Sequence, residues 1–140
     1  MRVELVVIVT MLGIFASFAI PRFTQVKNDV RASEVVALSV NLRSAAAAAH
    51  AQYLESGAKL SAAIMKGRTV QLKNGYPDAG ADGIRAAIGD PSGFAVNATS
   101  LSVNYTKTDA PAPAQCAVTY HAAPAAASEA TITDLQTGGC

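Results

Sequence analysis

The stretch Glu4-Leu-Val-Val-Ile-Val-Thr-Met-Leu-Gly-Ile-Phe-Ala-Ser-Phe-Ala-Ile-Pro21-Arg-Phe23 decides the fold. From Leu5 to Ile20 it carries no charge. As a helix this run covers ~24 Å, a little short of the ~30 Å hydrocarbon core of a bilayer. A signal-peptide core is shorter, roughly 7–15 apolar residues, and ends at a small-residue cleavage site. This run ends instead in Pro21-Arg22 and flows into a further helical pattern. A plain membrane anchor explains the hydropathy but has no need of Glu4, since a carboxylate placed centrally in hydrocarbon costs about 2.5–3.5 kcal/mol. In the first turn of a helix, however, an acidic side chain lies near unpaired backbone N–H groups and is favoured. Glu4 therefore reads either as a helix-end charge at headgroup level or as the partner of a positive N-terminal amine inside an apolar assembly.

Outward from this head the chain is poor in large apolar residues. Val, Ile, Leu, Met and Phe total 36 among 140 residues, and 14 of them fall in the first 23. The remaining 117 residues share 22, while alanine contributes 29 across the whole chain. Such a body builds only a thin core and calls for a staple or a partner. With 10 acidic and 11 basic side chains, the near balance argues against a phosphate-binding surface, so direct nucleic-acid binding is not expected. Neither histidine stands at metal-ligand spacing from the other or from a cysteine, and no G-x-S-x-G, Walker, Rossmann or H-E-x-x-H signature occurs. No catalytic site, metal or cofactor is expected.

The head closely resembles the N-terminal methylation segment of type IV pilins. Glu4, Gly13 and Pro21 stand at that family's mutual spacing, with Ala16, Ala19 and an aromatic, Phe23, just after the proline. Asp29-Val-Arg-Ala-Ser33 and Gly75-Tyr-Pro77 look like the mannose-sensitive haemagglutinin branch. The family begins with an N-methylated Phe and has its glutamate fifth; here Met1 comes first and the glutamate is fourth. The resemblance implies a structural subunit, not an enzyme, that assembles with identical copies into an extracellular helical filament. It implies residence in the bacterial inner membrane before assembly, handling by pilus assembly machinery, and a cell-surface location afterwards. Glu4 would neutralise the Met1 amine of an adjacent subunit, and the helix between Gly13 and Pro21 would become extended in the filament. Adhesion, motility and DNA uptake are all served by such filaments. A type II secretion pseudopilin and a membrane-anchored extracellular binding module are the alternatives; the former usually lacks a C-terminal disulfide.

The expected fold is α+β: a long N-terminal helix with a small antiparallel sheet on its C-terminal half. Residues 1–21 form the hydrophobic membrane or filament-core half of the helix. Residues 22–56 form its amphipathic half, bent near Pro21 and stopped by Gly57. The run Ala45–Ala49 offers a low-profile face for the sheet, and His50 reads as an exposed or half-buried helix residue rather than a ligand. Residues 57–90 read as a connecting region with short helices at 60–65 and 80–88 and turn chemistry at Gly75-Tyr-Pro-Asp78. Residues 91–140 read as a sheet of three or four strands, at 94–96, 100–106, 116–121 and 130–135. Cys116 and Cys140 are the only cysteines. Behind an exported head they read as a disulfide closing a loop of about 25 residues, worth roughly 3–4 kcal/mol. The resemblance implies the same bond, bounding a surface-variable region. Charge is uneven: residues 1–73 hold nine basic and four acidic side chains, and residues 74–140 hold two and six. This reads either as chance solvation or as complementarity between neighbouring subunits. Asn97-Ala-Thr99 and Asn104-Tyr-Thr106 match the N-glycosylation triplet, too short a match to weigh.

Overall fold

The computed structural model describes residues 2–17 and 23–140 in full, and of residues 18–22 only the backbone. The bend expected near Pro21 does not interrupt the helical backbone, which runs on through it, and the role expected of Met1 lies outside the described residues. The chain divides into two units, residues 1–30 and 31–140. Helix α1, Arg2–Glu55, supplies the first and opens the second.

In the first unit all the described large apolar side chains from Val3 to Phe15 are exposed, as are Phe23, Val26 and Val30. Thr10 donates its hydroxyl to the carbonyls of Val6 and Val7, and Ser17 donates to Ile14. These side chains satisfy themselves on their own helix and ask nothing of water. Among the described residues no helix is long and apolar enough to cross a membrane. The apolar run continues to Ile20, beyond the residues described in full.

In the second unit α1 buries Val35, Leu38, Leu42, Ala45, Ala46 and Ala49, a single stripe at three- and four-residue spacing. Of the run Ala45–Ala49, Ala47 and Ala48 face outward, so three of its five methyls serve the core. The helix stops where Gly57 and Ala58 turn left-handed, and the Ala58 N–H reaches back to the Tyr53 carbonyl. That bond closes a six-to-one loop of the kind that commonly ends helices.

The connecting region differs from its expectation. Residues 60–65 do not form a helix. Instead Ala62–Met65 (β1), Arg68–Lys73 (β2) and Tyr76–Pro77 (β3) make a three-stranded antiparallel sheet. Two tight turns decide this. Lys66-Gly67 and Asn74-Gly75 all have positive φ, the primed geometry that matches strand twist in two-residue hairpins. Gln52 of α1 strengthens β1, because its side-chain amide donates to the Ile64 carbonyl at 3.1 Å and accepts from the Ile64 N–H at 3.2 Å. Helix propensity in Ala-Ala-Ile-Met loses to this pairing. The turn chemistry expected at Gly75–Asp78 belongs to Asn74-Gly75, and Tyr76-Pro77 is a strand. The second short helix forms only at Ile84–Ile88 (α2). Before it, Gly83 packs so closely on Asp78 that no Cβ would fit.

The last section is a four-stranded antiparallel sheet in sequence order: Phe94–Ala98 (β4), Ser102–Lys107 (β5), Ala117–His121 (β6) and Thr131–Gln136 (β7). Each strand lies within two residues of its expected place. Val103, Tyr105, Val118 and Tyr120 turn inward and join the α1 stripe, Val70 and Ile84 in one core. Tyr120 donates its hydroxyl to the Pro77 carbonyl at 2.7 Å, tying the two sheets together. The α+β architecture is therefore as expected, with a second sheet that was not.

Candidate functional site

Two surfaces of this chain carry the expected site residues, and each is described within its own unit. The first is the apolar head. Glu4 stands in the first turn of α1, exposed, where helix N–H groups favour a carboxylate. Gly13 lies in the helix with open space where a side chain would be, so packing within the described chain does not require a glycine there. It weakens the helix locally by about 1 kcal/mol relative to alanine.

The second is the C-terminal region. Cys116 and Cys140 form a disulfide with their Cα atoms 4.9 Å apart. The expectation of a bonded pair holds. The bond is one part of a larger clasp. Ala112 donates its N–H to the Gly139 carbonyl at 3.0 Å, and Gly139 donates to Gln115 at 2.9 Å. A Cβ on Gly139 would stand 2.4 Å from the Ala112 oxygen, so only glycine fits beneath this loop. Arg31 of α1 then donates Nη1 to the Cys140 carbonyl and Nε to the Asp109 carboxylate, both at 3.2 Å.

Asp109 extends the clasp to a buried cation. Lys107 Nζ lies 2.7 Å from Glu34 and 3.4 Å from Asp109, and 5.0 Å from the Phe94 ring centre. Its hydrogen bond to Glu34 raises the Lys107 pKa above that of an ordinary lysine, while Arg31 holds the Asp109 carboxyl below the usual range. The chain thus ties its last residue to Cys116 through sulfur and to the start of the second unit's helix through Arg31.

No family model, curated protein or solved structure matches the chain. The residues themselves carry the functional reading.

Sequence reasoning missed the clasp's charged members, Arg31, Glu34, Lys107 and Asp109. Lys107 was readable in part: it continues the inward alternation of Val103 and Tyr105 on β5, which places a lysine on the core face. His50 is half-buried, as expected. Its ring stacks on Tyr76 at 4.1 Å, and its Nδ1 lies 2.9 Å from the Gly75 carbonyl. Gly75 has positive φ and no room for a Cβ against Tyr53, so this corner braces the second hairpin.

Proposed function

We propose that this chain is the structural subunit of a type IV pilus filament. The observation that carries the proposal is the head. From Val3 to Phe15 the helix exposes ten large apolar side chains, and its hydroxyls are turned back on its own carbonyls. So long an apolar surface needs lipid or other apolar heads around it. Glu4 at its rim suits the second environment, where a carboxylate meets a neighbour's amine. The thin core of the second unit, closed by a disulfide, suits an exported body.

In this reading the subunit waits in the bacterial inner membrane with its body outside. Assembly then replaces lipid with the heads of identical copies, so the apolar surface stays buried throughout. Residues beyond about Gly57 form the filament surface. The test is negative-stain microscopy of material sheared from expressing cells, with mass spectrometry of the fibres. The expected result is thin filaments composed of this chain. A chain that stays monomeric in the membrane fraction of cells with working assembly machinery would sink the proposal.

A further inference from the structure

The hairpin turn between β1 and β2 holds Lys66 in the left-handed region, φ 51°. Asparagine, aspartate or glycine is favoured there, and other residues are strained. That turn places Lys66 between two adjoining hollows. The larger, about 330 Å³, has Leu38, Met65 and Ile88 among its apolar lining and Asn41, Ser44 and Lys66 as its polar side chains. The smaller, about 190 Å³, shares Lys66 and adds Arg68. No acidic residue lines either one. Among the described residues, neither Lys66 nor Arg68 makes an ion pair or side-chain hydrogen bond, and Asn41 and Ser44 also lack side-chain partners. The two hollows combine apolar and cationic lining, and those polar side chains are unsatisfied.

Strand β7 carries the opposite chemistry. Its ladder with β6 is irregular between Ala117 and Thr119, and Asp134 sits there with φ 52°. Such a bulge re-aims side chains on an edge strand. Beside it Leu135 is 47% exposed. A carboxylate and an isobutyl group thus stand exposed at consecutive positions of the edge strand, the Asp134 carboxylate accepting from the Thr133 hydroxyl at 3.2 Å. None of β7 lines either hollow.

We propose that the Lys66 hollow is the receptor for the Asp134-Leu135 knob of a second copy of this chain. Leu135 covers the apolar lining and the Asp134 carboxylate meets Lys66 and Arg68. Because receptor and knob are different patches of one chain, the contact is heterologous, and repeated without closure it grows an open polymer. It assigns residues to the charge imbalance along the chain. The inference rests on the filament reading and specifies its body-to-body contact.

Zero-length carbodiimide coupling of intact sheared filaments tests it, since the reagent joins an amine and a carboxylate only where they touch. The expected product is an intersubunit Lys66–Asp134 cross-linked peptide. Charge exchange is the second arm: Lys66→Glu with Arg68→Glu, or Asp134→Lys alone, should lower filament yield about tenfold, and the three changes together should restore it. Filaments in which Lys66 couples to another carboxylate, or stays open to acetylation, overturn the contact while leaving the filament reading intact. So does a triple variant no better than its parents. An unaltered chain that makes no filaments overturns both.

Discussion

Two tyrosines on neighbouring strands show what a thin core can tolerate. Tyr105 and Tyr120 are both fully buried. The Tyr120 hydroxyl donates to Pro77, whereas the Tyr105 hydroxyl has no partner among the described residues. Burial is the main cause raising both phenols, that of Tyr105 to about 12. The rings fill volume that the scarce aliphatic residues leave open, and the two hydroxyls differ in value. Tyr120→Phe should cost about 1–2 kcal/mol, because the Pro77 carbonyl loses its donor. Tyr105→Phe should change stability by less than about 0.5 kcal/mol, because it deletes a polar group that the chain does not satisfy. Urea denaturation of both variants checks the contrast, and equal losses would contradict it.

Among the elements, the C-terminal clasp has the clearest consequence. The bond Cys116–Cys140 holds a loop whose ends also exchange backbone hydrogen bonds at Ala112, Gln115 and Gly139. Replacing either cysteine by serine should cost about 3 kcal/mol, with the native chain showing no thiol to alkylation unless unfolded and reduced. A loss below about 1 kcal/mol in chemical denaturation would mean that the Arg31 and Asp109 contacts hold the end without sulfur. This clasp was half legible: two cysteines behind an apolar head point to the bond, but charges 78 residues apart, Arg31 and Asp109, announce nothing in the sequence. The four late strands were legible because Val103 and Tyr105 alternate with polar neighbours. The early hairpin was not, because Ala62-Ala-Ile-Met65 carries no alternation and reads as helix. Its signal lay in the turns. Asn74-Gly75 is the strongest short-range hairpin pair, and it sat next to the alternating Thr69-Val-Gln-Leu72. The bulge at Asp134 depends on how β7 meets β6, a long-range pairing that local sequence does not encode.

At the scale of the molecule, the large apolar residues described in the head are all exposed, while the body closes a thin core with alanine, tyrosine and a disulfide. Within the proposed filament, Glu4 is the residue that separates assembly from mere anchoring. A carboxylate at the edge of a lipid-embedded helix gains little from its surroundings. Inside a packed bundle of heads the lower local dielectric strengthens its pairing with a neighbour's amine and makes an unmatched charge expensive. Glu4→Gln keeps the shape and the hydrogen-bonding capacity and removes the charge. If the filament reading holds, the variant should accumulate in the inner membrane at the level of the unaltered chain, yet give at least about tenfold fewer surface filaments when it is the only subunit present. Arg2 lies two positions away and is an alternative cation for Glu4. Arg2→Ala separates the two partners: if the amine is the one that matters, filaments persist in that variant and are lost only with Glu4→Gln. Filament counts by electron microscopy, set against subunit levels in the membrane fraction, read both outcomes. Abundant filaments from Glu4→Gln would reduce the carboxylate to a helix-end charge and leave the apolar surface alone to drive assembly.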